Sequence, residues 1–279
     1  MAGGWNTGLS LANATDIASN LTGEGGVLIN CGGSAFAKGS WTQLIASTTT
    51  DVAWLLVNLD TYASTGTRFA FDIGVGSSGN EVAVVQNLEI AQYSQAFSSY
   101  FFPLSIKAGT RVAARVSGDT GGDQATIKVN GFDDAALSAG VGSAIDTYGY
   151  STASNTGTAV DPGSSANTKG SYTQITSSVT NDLAGFFLGF DTQTLSSGNG
   201  IQGRVLIDVA IGGSGSEKII VPNTNLITVP SGLCQVFPAS SPYFPIPIKS
   251  GTRVAVRAQS SDSTATQRVF GVTVYGVRL

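Results

Sequence analysis

The sequence predicts an all-β protein made of two tandem antiparallel β-sandwiches of the jelly-roll type, related by internal duplication. Three observations carry that expectation. First, the chain is written twice: Lys38-Gly-Ser-Trp-Thr-Gln43 returns as Lys169-Gly-Ser-Tyr-Thr-Gln174, and Phe102 to Arg115 returns as Phe244 to Arg257. Second, apolar residues alternate with polar or small ones at a period of two, the mark of a strand with one face on a core. Third, these short runs are separated by Gly- and Ser-bearing turns, as in sandwiches and jelly rolls.

The elements follow in order. Near the start, Gly26 to Gly33 corresponds to Gly157 to Ser164, so each copy has a leading segment. In Val52 to Asp60 one face reads Ala53, Leu55, Val57, Leu59, and its counterpart reads Ala184, Phe186, Leu188, Phe190. The opposite face changes, from Trp54, Leu56 and Asn58 to Gly185, Phe187 and Gly189. The next strand pairs Phe69, Phe71, Ile73 and Val75 with Val205, Ile207, Val209 and Ile211. Further strands are expected at Glu81 to Gln86 and Glu217 to Val221, and at Phe102 to Ile106 and Phe244 to Ile248. Gly-bearing turns at Lys107 to Thr110 and Lys249 to Thr252 lead into Val112 and Val254. Each copy closes on a strand, Thr126 to Phe132 and Arg268 to Val277. A helical turn is expected at most around Thr15 to Leu21 and Ala144 to Thr147.

The repeat sets the domains at 1–133 and 134–279, each long enough to bury its own core. Equivalent positions lie 131 residues apart at Lys38 and Lys169, 136 at Asp72 and Asp208, and 142 at Gly109 and Gly251. The second copy has therefore gained residues between strands, where loops tolerate insertion. Six of the eight prolines fall from Pro222 to Pro247. Proline removes a ladder donor, so this stretch is expected to be edge strand and loop, and a contact surface.

Charged residues are 11% of the 279 and the net charge is −4, with no basic run to follow a phosphate backbone or an anionic membrane. Nucleic acid and membrane insertion are excluded as expectations, and with no signal-peptide pattern the chain is expected to be made in the cytoplasm. Two Asn-x-Thr sites, at Asn13 and Asn20, carry no weight without export. The low surface charge suits a place inside a larger assembly, and the chain is expected to form homo-oligomers. Cys31 and Cys234 occupy non-equivalent places, so two unpaired thiols are expected. Histidine is absent, which removes Ser-His-Asp and Cys-His nucleophile systems and His-ligated metals. No catalytic residue, metal or cofactor is assigned.

Three constellations remain. Asp60 and Asp191 end strands that Arg68 and Arg204 follow, so hairpins would join each Asp to its Arg. Arg111 and Arg115, repeated as Arg253 and Arg257, are expected to face Asp72 and Asp208 as cross-strand salt bridges on a solvated face. The acidic pairs Asp72 with Glu81 and Asp208 with Glu217 flank Gly/Ser loops and read as turns with surface acids, not as a glycosidase pair. Among aromatics, Trp41, Tyr172, Tyr62, Tyr148 and Tyr150 are candidate contacts for a glycan or a protein partner; Trp5, Tyr93 and Tyr100 also fall in loop-like stretches.

The strings Lys169 to Thr176, Ala184 to Asp191 and Tyr243 to Arg257 resemble a β-sandwich module of tailed-bacteriophage structural proteins. The resemblance covers both copies. It implies a non-enzymatic virion component, a tail fibre, tail-tip appendage or capsid decoration, whose partners are other virion proteins. The alternative is a carbohydrate-binding module that recognises host surface polysaccharide. A polysaccharide depolymerase stands third, lacking a β-helix pattern or a clear acidic pair.

Overall fold

The computed structural model describes residues 13–18, 26–60, 68–91, 97–133, 142–192, 203–228, 236–237, 239–265 and 268–279. The first nine strands are β1 (Asn13–Ala18), β2 (Val27–Asn30), β3 (Thr42–Ile45), β4 (Val52–Asp60), β5 (Arg68–Val75), β6 (Val82–Ala91), β7 (Phe97–Ile106), β8 (Val112–Gly118) and β9 (Gln124–Asp133). Sheet I runs β1-β9-β4-β7, with β2 also on β9, and sheet II runs β3-β8-β5-β6. Every pairing is antiparallel. Consecutive strands thus alternate between the two sheets from β2 to β5, which is jelly-roll order.

The remaining strands are β10 (Ala144–Tyr148), β11 (Thr158–Val160), β12 (Thr173–Thr176), β13 (Leu183–Thr192), β14 (Arg204–Ile211), β15 (Lys218–Thr228), β16 (Val236–Phe237), β17 (Val254–Ser260) and β18 (Phe270–Arg278). Sheet III joins β10, β11 and β13 to β18, and sheet IV runs β12-β17-β14-β15-β16. Both plans match: β10 and β11 share one side of β18 as β1 and β2 share one side of β9.

Beyond the bulges at Ala53 and Ala184, where Val52 and Leu183 enter the cores in place of the expected alanines, the alternating faces pack as their spacing dictates. Leu55, Val57 and Leu59 of β4 meet Phe69, Phe71 and Ile73 of β5 in one core, and Phe186, Leu188 and Phe190 of β13 meet Val205, Ile207 and Val209 of β14 in the other. Each such side chain contributes on the order of 1.5–3 kcal/mol by burial.

Several expectations are corrected. The stretches at Ala144 and at Thr15 are strands, not helical turns, because their backbones complete the edges beside β18 and β9. No hairpin joins Asp60 to Arg68 or Asp191 to Arg204: each Asp ends a strand of one sheet and each Arg opens a strand of the facing sheet. The strand expected at Phe244 to Ile248 is reduced to isolated bridges, Phe186 to Phe244 and Leu183 to Ile248. Pro242, Pro245 and Pro247 have no N–H to give a ladder. Tyr100 lies buried in β7, not in a loop. Pro222 sits inside β15, at an irregularity in its pairing with β14.

The outer faces of the two copies diverge for a visible reason. Sheet III lays its outer face across the open side of the first sandwich, between edge strands β6 and β7. Phe187 stacks on Phe102 at 4.9 Å and on Tyr275 at 5.0 Å, and Tyr100 meets Phe187 at a tilt and Tyr275 edge-on. The Tyr100 hydroxyl donates to the Glu89 carbonyl at 2.8 Å, and the Tyr275 hydroxyl to that of Asn87 at 2.7 Å. Gly189 is required by the close approach, since a Cβ there would stand 2.7 Å from Glu89 Oε1. Phe187, Ile145, Tyr275 and Val277 consequently belong to the core of the first sandwich.

Candidate functional site

The repeated charges form closed centres. Asp72 Oδ1 accepts from Lys38 Nζ and from the Asn87 N–H, both at 2.9 Å, and Oδ2 accepts from Arg115 Nε at 2.8 Å. The second copy repeats it: Asp208 takes Lys169 Nζ at 2.8 Å, the Asn223 N–H at 3.0 Å and Arg257 Nε at 2.9 Å. Each Asn N–H points inward because its strand carries an irregularity there and the residue has φ of 57° or 53°. Asn tolerates that left-handed backbone better than most residues. Burial pushes the Asp208 carboxyl up, but Lys169, the Asn223 N–H and Arg257 together hold it below the usual aspartate value.

Arg111 does not share Asp72. Its Nη1 pairs with Glu81 Oε1 at 2.8 Å, and its Nε donates to Gln43 Oε1 at 3.0 Å. Arg253 does the same with Glu217 at 3.1 Å and Gln174 at 2.9 Å. The acids are not surface groups, for the Asp72 and Glu81 side chains are each 3% exposed. Cations occupy them, so neither acid of the pair is set to donate or take a proton at a sugar bond.

Trp41 and Tyr172 belong to these centres. The Arg115 guanidinium lies 4.5 Å over the Trp41 ring and that of Arg257 lies 4.8 Å over the Tyr172 ring. The other flank of Trp41 rests on Gly74, where a Cβ would come within 2.7 Å of the ring. Both aromatics are thus held as cation–π lids on the ion pairs. Lys38 and Lys169, with Asn87 and Asn223, were missed by pairing Arg with Asp alone. The signal was present, since both lysines open the repeated Lys-Gly-Ser string.

Tyr148 is not a loop residue but ends β10 and is buried; it and Tyr150 line a groove of about 420 Å³ at the junction of the sandwiches. Its walls include Gln86 and Asn87 of β6, Asp146 of β10, and Arg278 of β18. Asp146 and Arg278 form a two-point ion pair, with Asn181 Nδ2 donating to Asp146 at 2.8 Å. Thr147 Oγ1 donates to the Gln86 carbonyl at 2.7 Å and ties the two sandwiches at the groove. The Thr180 N–H donates to the Tyr148 hydroxyl at 3.1 Å, and the Tyr150 hydroxyl donates to Asn155 Oδ1 at 2.7 Å. Burial, reinforced by the Glu89, Asp72 and Asp191 carboxylates, holds the Tyr150 hydroxyl well above the usual tyrosine value. The groove is thus lined by hydroxyl, amide and ion-pair groups that are largely bonded to one another.

Tyr62, with Trp5, Tyr93 and Cys234, lies outside the described residues. Asp60 lies opposite Phe97 and Thr126 in sheet I, and Asp191 is buried and accepts the Gly157 N–H at 2.6 Å. Arg68 pairs along β6, and the Arg204 N–H donates to Ser261 Oγ at 2.9 Å. Among the described residues no three Cys, Asp or Glu side chains gather as metal ligands, and no helix is long and apolar enough to cross a membrane. No family model matches the chain, and no curated protein matches it.

Proposed function

We propose that the chain is a non-enzymatic structural subunit of a phage particle, a tail fibre, appendage or capsid decoration, whose sandwiches serve protein–protein assembly. The observation that carries this reading is the use made of the diverged sandwich face: Phe187, Tyr275 and Gly189 bury it against another sandwich of the same kind. The closed ion centres fit the same reading, since they stiffen each sandwich and leave its faces and edges for contact. Mass spectrometry of purified intact particles is the test. The chain is expected among the virion proteins, and its absence from particles overturns the reading.

The groove favours a second reading, a module that binds host surface polysaccharide between its sandwiches. A glycan array is expected to give binding that Tyr150→Ala and Gln86→Ala weaken. A blank array removes this reading and leaves the first untouched.

A further inference from the structure

The contact between the sandwiches is one-sided. The second sandwich supplies the outer face of sheet III, and the first supplies its open side between β6 and β7. There Leu88, Phe102 and Leu104 are 0% exposed. Because the sandwiches are copies, each carries both a face and an open side, and this contact uses only one of each.

The unused face is the outer side of sheet I. Trp54 and Leu56 of β4, Phe101 of β7 and Phe132 of β9 stand together on it. Phe101 is 48% exposed, stacks on Trp54 at 4.9 Å and meets the edge of Phe132 at 5.9 Å. The patch adjoins the existing contact, for Tyr243 of the second sandwich meets the Trp54 ring edge-on at 5.7 Å. Among the described residues this apolar cluster is left open on the sheet face, and such a cluster marks an interaction site.

Among the described residues, the unused open side lies between β15 and residues 240–248, away from the end of β15 on which β16 pairs. The counterparts of Phe102 and Leu104 there are Phe244 and Ile246, and both are only half-buried. Tyr100 is replaced by the exposed Pro242, and Glu89 by the exposed Asn225. The polar residues also match across the two surfaces. The face carries Asn58, Asn130 and Lys128 where sheet III carries Gly189, Tyr275 and Thr273. Asn223 and Asn225 offer amide groups to them, where the occupied contact sets Glu89 against Thr273.

We propose that these two surfaces meet between chains: the outer face of sheet I in one copy docks on the open side of the second sandwich in the next. The contact is head-to-tail, so it propagates into a ring or a filament and does not stop at a two-fold dimer. It rests on the assembly reading and names the partner, a second copy of this chain.

The test is sedimentation velocity on the full chain over a concentration series, with Phe101→Asp on the face and Ile246→Asp on the open side. Both positions are partly exposed, and circular dichroism melts check that the variants fold. Wild type is expected to pass beyond dimers as concentration rises. Each variant alone is expected to weaken association by at least about 30-fold, the effect of losing an interface hot spot. An equimolar mixture of the two variants should stop at a one-to-one dimer, because one sound face and one sound open side remain. A wild-type monomer at every concentration overturns the proposal, as does a dimer that Ile246→Asp leaves intact. Should either variant unfold, cross-linking of mixed light and heavy-isotope wild-type chains decides. Links between chains from Lys128 to Lys218 or Lys249 are expected, and their absence from associated material overturns the proposal. Particle mass spectrometry remains a separate test, so failure here does not touch the virion reading.

Discussion

Phe187→Ala removes the ring on which the two sandwiches close. That side chain is 1% exposed and lies flat against Phe102 at 8° and against Tyr275 at 20°. Truncating a buried Phe costs about 3–5 kcal/mol, of which each well-placed ring pair supplies about 0.5–1.5. The site lies between two sandwiches that can settle toward each other, so partial collapse argues for the lower end, about 3 kcal/mol. The register counterpart Leu56 is half-buried on sheet I, and Leu56→Ala at low protein concentration is expected to cost about 1 kcal/mol. Guanidinium unfolding followed by tryptophan fluorescence and far-ultraviolet circular dichroism reads both values. The two probes should also separate in Phe187→Ala as the sandwiches lose their coupling. A loss under about 1 kcal/mol for Phe187→Ala, or equal losses for the two variants, refutes the argument that this contact organises the molecule.

The closed ion centres predict that Asp72→Ala and Asp208→Ala each cost about 2–4 kcal/mol in thermal or chemical unfolding, since each strands a partly covered Lys and Arg. Two equal losses are expected, because the geometry is duplicated; an Asp72→Ala variant as stable as wild type would falsify the structural role. Glu89 sets a pH dependence at the joint. Burial and the Asp191 charge beside it raise its carboxyl well above the usual value, against the Thr273 hydroxyl. From about pH 4.3 upward the unfolded chain releases this proton while the folded one holds it. Stability is thus expected to fall as pH rises through the folded value, and Glu89→Gln should flatten that slope in unfolding midpoints taken across pH. The lowered Asp208 carboxyl acts in the opposite sense: its contribution is lost as pH falls below the unfolded aspartate value through the lowered folded one, and Asp208→Asn should remove that acid loss. Burial, with Asp123 and Asp119 nearby, pushes the Cys31 thiol up to about 12. Iodoacetamide at about pH 8 should leave Cys31 unmodified in peptide mapping of native protein and label it once guanidinium is present.

Much of the fold was legible because period-two alternation states which residues face inward, and duplication states it twice. Leu55 and Phe186 are buried as their spacing requires. The Arg115 to Asp72 pairing was legible for the same reason, since both residues stand on outward positions of adjacent strands. The hairpin expected from Asp60 to Arg68 failed because sequence proximity does not say which sheet a strand joins, and a jelly roll sends neighbours to opposite sheets. The proline stretch gave a partial signal: missing N–H groups forbid a ladder, yet Phe244 and Ile248 still bridge to β13.

What the sequence by itself determined is local and repeated: most of the strands, the inner apolar faces, the turns, and the Arg and Asp of each ion centre, all set by spacing along one chain. Only the tertiary structure decided what the diverged face is for. Phe187 and Gly189 read as a loss of pattern until sheet III is laid against β6 and β7, where Gly189 admits the Glu89 side chain and one ring fills an open core; Gly185 makes room for Tyr243 and Phe244 of its own sandwich. The groove of Tyr148 and Tyr150 and the uncovered Trp54 patch follow from that docking, because where two surfaces meet depends on shape and burial across more than 80 intervening residues between Phe102 and Phe187.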